Sequence, residues 1–87
     1  MKTRELVAIA EAVRSAYPTA TTRINRTIDR LDVDVEGRTF VVNYFDKWGY
    51  CVDELKAFEH AMDNSYRYVE PTPAGATAKL LDLIGIR

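Results

Sequence analysis

An alternation limits what this chain can fold into more than any other feature. Leu31, Val33 and Val35 interleave with Asp32, Asp34 and Glu36; Gly37 follows; then comes the β-branched and aromatic run Arg38-Thr39-Phe40-Val41-Val42-Asn43-Tyr44-Phe45. Successive side chains of a strand point to opposite faces. A period of two, broken by a pair containing glycine, therefore specifies a β-hairpin. With Glu36-Gly37 as the two loop residues, Val35 faces Arg38, Val33 faces Phe40 and Leu31 faces Val42. One face then carries Leu31, Val33, Val35, Phe40, Val42 and Tyr44, and that face is the expected core. The outer face carries Asp32, Asp34, Thr39, Val41, Asn43 and Phe45. A slip of one residue would turn aspartates inward, so the register is strongly specified.

Helical patterns flank the hairpin. Thr3 is placed to cap a helix running to about Ala16, with Leu6, Ile9, Ala10, Val13 and Tyr17 on one stripe. Pro18 holds Tyr17 out of the helical region and stops it. Ala20 to Asn25 reads as a short edge strand, and the polar Asn25 to Arg30 as a turn. Asp46-Lys47-Trp48-Gly49 reads as a second turn, leading to a strand near Tyr50–Val52. Asp53 is placed to cap a second helix through about Asp63, with Leu55, Phe58, Ala61 and Met62 as its stripe. Residues 64–72 look irregular. Thr72 as N-cap and Pro73 at the first position open a third helix, with Ala76, Leu80, Leu83 and Ile84 as its apolar side and Gly85 at its end. The expectation is one α+β domain over residues 1–87. It has a three- to four-stranded antiparallel sheet with helices mainly on one face, in the order α-β-β-β-(β)-α-α. The α-β-β-β-α part of that order resembles the double-stranded RNA-binding domain. That family's lysine cluster is missing, because the helix expected there opens Asp53-Glu54-Leu55-Lys56.

An apolar fraction of 47% with 29% charged residues suits a packed core rather than disorder. Cys51 is the only cysteine, which rules out an internal disulfide and a cysteine-based zinc site. One unpaired thiol suits a reducing compartment. Charges at Lys2, Arg4, Glu5, Glu11 and Arg14 break up any signal-peptide core, and no apolar run is long enough for a membrane span. A cytoplasmic protein is expected.

Catalytic and metal chemistry find little footing. Asp32-x-Asp34-x-Glu36-Gly37 matches the first half of a calcium loop, but position 12 is Asn43, and strand alternation cannot wrap an ion. His60, the only histidine, has no second His or Cys at ligand spacing. Ser15, Ser65 and Cys51 sit in no nucleophile-elbow motif. The adjacent carboxylates Asp53/Glu54 and the pair Asp32/Asp34 read as solvated. No cofactor, no metal and no enzymatic activity is expected.

Two binding readings remain. Val41 and Phe45 are too apolar for a solvated strand face, and Trp48 or Tyr50 is expected beside them. An apolar-aromatic patch rimmed by carboxylates is typical of a protein contact. The favoured expectation is a small protein-interaction module, a regulator or inhibitor of the viral or mobile-element type. Val41, Asn43, Phe45 and Trp48 would carry the contact, and Asp32 and Asp34 would steer a basic partner. The competing expectation for this face is that the third helix or residues 64–72 fold over it. The alternative function is nucleic-acid binding through Arg23, Arg26, Arg30 and Arg38, since six of the eight arginines precede Thr39. The net charge of −1 selects neither class of partner. A homodimer through the apolar Leu83-Ile84-Gly85-Ile86 is a further expectation.

Overall fold

The computed structural model describes residues 2–55 and 67–86. Among them are two helices and a five-stranded antiparallel sheet: α1 (Thr3–Ala16), β1 (Thr21–Asn25), β2 (Arg30–Val35), β3 (Arg38–Phe45), β4 (Gly49–Leu55), β5 (Tyr68–Glu70) and α2 (Pro73–Gly85). The strands form a meander in chain order, each paired with its neighbours in sequence.

The central hairpin has the register expected from its alternation. Val35 faces Arg38, Val33 faces Phe40 and Leu31 faces Val42. Glu36 and Gly37 both adopt positive φ, at 51° and 76°. Two such residues in a two-residue loop make the turn whose twist matches the strands on either side. Leu31, Val33, Phe40, Val42 and Val52 are fully buried on the inner face, where Leu6, Ile9 and Val13 of α1 and Leu80 and Ile84 of α2 meet them. Fully burying a side chain of this size stabilises the fold by about 1.5–3 kcal/mol. The core therefore lies between the sheet's inner face and the two helices, α1 over β1 and β2, and α2 over β3, β4 and β5.

Several boundaries differ from expectation, each for a physical reason. Thr3 is the first residue of α1, not its cap, and its hydroxyl makes no hydrogen bond among the described residues. The helix start is tied down instead by the Lys2 backbone N–H, which donates to Asp29 Oδ1 at 3.0 Å. Asp53 opens no helix there; β4 runs on through Asp53, Glu54 and Leu55. Those carboxylates find partners across the sheet: Glu54 faces inward to Arg38 and Asp53 outward to Arg67. The rest of the expected second helix, through Asp63, lies outside the described residues, as does His60. Tyr68–Glu70, expected to be irregular, is the fifth strand. The third helical pattern is α2 as expected, with Thr72 Oγ1 accepting from the Gly75 N–H at 3.0 Å and Pro73 at its start.

A clasp closes one end of the molecule. Arg38 follows the Glu36-Gly37 turn and donates to both Glu54 carboxylate oxygens, at 3.0 and 2.9 Å. The same guanidinium donates to the carbonyls of Leu83 and Ile84, at 3.2 and 3.0 Å. It also lies over the Phe40 ring. A cation at a helix C-terminus meets the negative end of the macrodipole and the carbonyls left without helical partners.

Candidate protein-interaction surface

The register sorts the outer face into rows. Arg30, Asn43, Cys51 and Val69 make one row from β2 to β5. Asp32, Val41 and Asp53 make the next, with Arg23 beside Asp32 on β1. Asp34, Thr39 and Leu55 follow. One row beyond Asn43, at the end carrying the β1–β2 and β3–β4 turns, Phe45 faces Gly49.

The middle of this face is closed. Val41 is 0% exposed, and Asn43, Cys51, Asp53 and Arg30 are buried with it. Asn43 works as a pin: its Nδ2 donates to the carbonyls of Ile28 at 2.7 Å and Asp29 at 3.2 Å. The Asp29 carbonyl also accepts from the Tyr44 N–H at 2.9 Å. Together they fasten the β1–β2 turn to β3. Val41 and Asn43 thus lie on the expected side and offer almost no accessible surface. α2 does not cover them, because its apolar side is committed to the inner core. Burial pushes the Cys51 thiol above its ordinary value, so at neutral pH it is protonated and poorly nucleophilic.

The carboxylates of the face are neutralised within it. Arg30 Nε lies 2.8 Å from Asp32, Arg23 3.4 Å from Asp34, and Arg67 3.3 Å from Asp53. The Thr39 hydroxyl donates to Asp34 at 2.7 Å. Among the described residues, no cluster of three or more His, Cys, Asp or Glu side chains could hold a metal ion.

The turn end is open. Trp48, in the three-residue turn between β3 and β4, is 56% exposed. Its ring meets half-buried Phe45 edge-on, with centroids 5.6 Å apart. The turn is closed by the Trp48 N–H donating to the Phe45 carbonyl at 3.0 Å. Ile28, in the neighbouring turn, is 46% exposed, and Val69 on β5 is 49% exposed. Two of the five exposed large apolar residues among those described, Ile28 and Trp48, thus lie in the two turns at this end, while Val69 lies in the Asn43 row. Gly49 lets the start of β4 pass close to the end of β5. A Cβ there would stand 2.8 Å from the Glu70 carbonyl oxygen, and its φ of 100° suits glycine. Tyr50, expected on this patch, faces the other way: it is buried on the inner face, 4.9 Å from the Tyr44 ring.

The four arginines considered for nucleic acid do not converge. Arg38 is bound in its clasp on the inner face, and Arg30 is buried beside Asp32. Arg23 is exposed but pairs with Asp34, and Arg26 is exposed in the β1–β2 turn. The carboxy-terminal apolar run divides as well: Ile84 is core, Leu83 half-buried, and Ile86 57% exposed. Ile28 and Val69 were not singled out in the sequence. The available signal was a lone aliphatic residue in a polar turn and another on a strand too short to show alternation. No helix among the described residues is long and apolar enough to cross a membrane. Comparison with protein-family models, with curated proteins and with solved structures finds no match.

Proposed function

We infer that this chain is a non-enzymatic protein-interaction module whose partner docks on the turn end of the outer face. Phe45 and Trp48 are the centre of the contact and Ile28 and Val69 its border. One observation carries the reading: an indole more than half exposed, held edge-on by a phenylalanine. Water gains from covering such a cluster, and tryptophan anchors are enriched among residues that dominate interface energetics. Val41 and Asn43 are buried and offer that partner no surface. A small regulator or inhibitor of viral or mobile-element type, working in the reducing cytoplasm that a lone thiol suits, is the class we favour. Of the four arginines considered for nucleic acid only Arg23 and Arg26 are exposed, and no observation favours that reading.

The test is affinity capture with wild-type protein and with Trp48→Ala, followed by binding measurements on the purified captured protein. Trp48→Ala is expected to weaken the Kd by about thirtyfold, or about 2 kcal/mol. The thermal melt should stay near wild type, because the indole is largely solvent-exposed. Equal affinity for both proteins, or a melt lowered by several degrees, would overturn the reading.

A further inference from the structure

The sheet ends in two edge strands, β1 and β5, and they are guarded unequally. β5 is three residues long and is followed directly by Pro71. A short edge strand beside a proline gives another strand little to pair with. β1 is five residues long, pairs with β2 without a bulge, and has no proline and no inward-pointing charge. Its one charged side chain, Arg23, lies on the outer face against Asp34.

Hairpin parity tells which backbone groups of β1 are open. In a two-residue hairpin the residues on either side of the loop exchange both backbone hydrogen bonds. Val35 and Arg38 are that pair, so Val35, Val33 and Leu31 direct their N–H and C=O groups to β3. The Tyr44 N–H on the Asp29 carbonyl continues the same ladder. Asp34, Asp32 and Arg30 then direct theirs to β1, where they meet Thr21, Arg23 and Asn25. The backbone groups of Thr22 and Ile24 therefore point away from the sheet, and they have no hydrogen-bond partner among the described residues.

α1 borders the same edge. It lies over β1 and β2, and the Arg14 guanidinium donates to the Thr22 hydroxyl. Val7, two helical turns before Arg14, is on the same side of α1 and is 37% exposed. Paired strands lie about 4.8 Å apart, so the axis of α1 is about half that distance inside β1. A two-fold axis relating β1 to an antiparallel second β1 would lie about half that distance outside it. Two α1 helices would then run antiparallel on one face of the sheet, about 10 Å apart, which is within the packing distance of helices.

We propose that β1 is a two-fold interface between two copies of this chain. The strands pair antiparallel through Thr22 and Ile24, giving one sheet with five strands from each copy. The α1 helices pack beside each other and cover Val7. A foreign extended segment would satisfy the same backbone groups but would bring no helix to cover Val7; a second copy does both. Registers with Thr22 or Ile24 on the two-fold axis keep Arg23 away from its own copy. Centring the pair on Arg23 would set like charges directly opposite each other, which is unfavourable.

Analytical ultracentrifugation of the full chain over a concentration series tests this, with hydrogen exchange read at single amides. The expected result is a reversible monomer–dimer equilibrium. The Thr22 and Ile24 amides should be protected at high concentration and exchange freely on dilution. Val7→Lys should raise the dimer dissociation constant roughly tenfold or more, because the interface would bury an ammonium against apolar surface. Its monomer should melt as the wild-type monomer does, so weakened pairing there is not loss of fold. Thr22→Pro should abolish the dimer by removing an outward N–H that β2 does not use. Trp48→Ala should dimerise as wild type does, which keeps this inference separate from the turn-end reading. A monomer at every concentration would overturn the proposal. A dimer that both edge variants leave intact, with the two amides unprotected, would do the same by assigning the contact to another surface. Protection of these amides only on addition of a different protein would replace the second copy with a foreign strand.

Discussion

At the scale of the residue, Asn43 shows how much one buried amide can organise. It sits on the outward side of β3, and its side-chain amide donates to two turn carbonyls. Asn43→Ala takes from the Ile28 carbonyl its donor, leaves the Asp29 carbonyl with the Tyr44 N–H, and loosens the turn that carries Ile28 and Arg26. The expected cost is about 1–3 kcal/mol in a urea titration. A variant as stable as wild type would show that the pin contributes nothing. The same residue marks a limit of sequence reading. Alternation assigns Asn43 and Val41 to a side of the sheet but carries no information on whether that side is covered. Strand parity was therefore legible and burial was not. Phe45 and Trp48 were legible because aromatic residues at a strand end and in a turn are conspicuous without any knowledge of the sheet. Ile28 was not, because its place near β3 depends on Asn43 binding the carbonyl of a turn remote in sequence.

Among the elements, those legible in the sequence were the ones specified by local chemistry. The central hairpin follows from parity and a glycine, and α2 from a threonine cap with a proline behind it. β4 was read too short because Asp53 and Glu54 resemble a helix start until their partners, Arg67 and Arg38, are brought up from remote positions. β5 was missed because three residues before a proline show no period. Arg38 makes the clearest prediction at this scale. It joins the β2–β3 turn, β4 and the end of α2 through a single planar group. Arg38→Ala is expected to lower the melting temperature and to increase amide hydrogen exchange selectively in the last turn of α2. Arg38→Lys should recover part of the stability but not the fork, because an ammonium cannot present paired donors to a carboxylate. Unchanged exchange at residues 82–86 would show that the clasp does not hold the helix end.

For the molecule as a whole, two buried acids set a limit on alkaline stability. Burial raises Cys51 above its ordinary 9.0. Burial, followed by the nearby Glu5, Tyr44 and Asp29, raises the Tyr50 phenol above its ordinary 10.0. In the unfolded chain both groups lose their protons at the ordinary values; in the fold they keep them to higher pH. Above the unfolded values the unfolded state therefore binds fewer protons, and stability falls as pH rises. The melting temperature is expected to decline from about pH 8 to about pH 10.5, with the earlier part of the decline absent in Cys51→Ala. A flat profile would show that neither group is shielded as the structure has it.

The meander also bears on how the chain acquires its fold. The first four strands are joined by turns of four, two and three residues, so each pairing closes a short loop and loses little chain entropy before its hydrogen bonds form. Local pairings of this kind favour rapid assembly. The apolar inner face they create stays wet until α1 and α2 settle on it from either side of the meander in sequence. A sheet that forms early with a bare apolar face is the species most exposed to self-association. Docking of the two helices, rather than strand pairing, is then the step that ends that exposure.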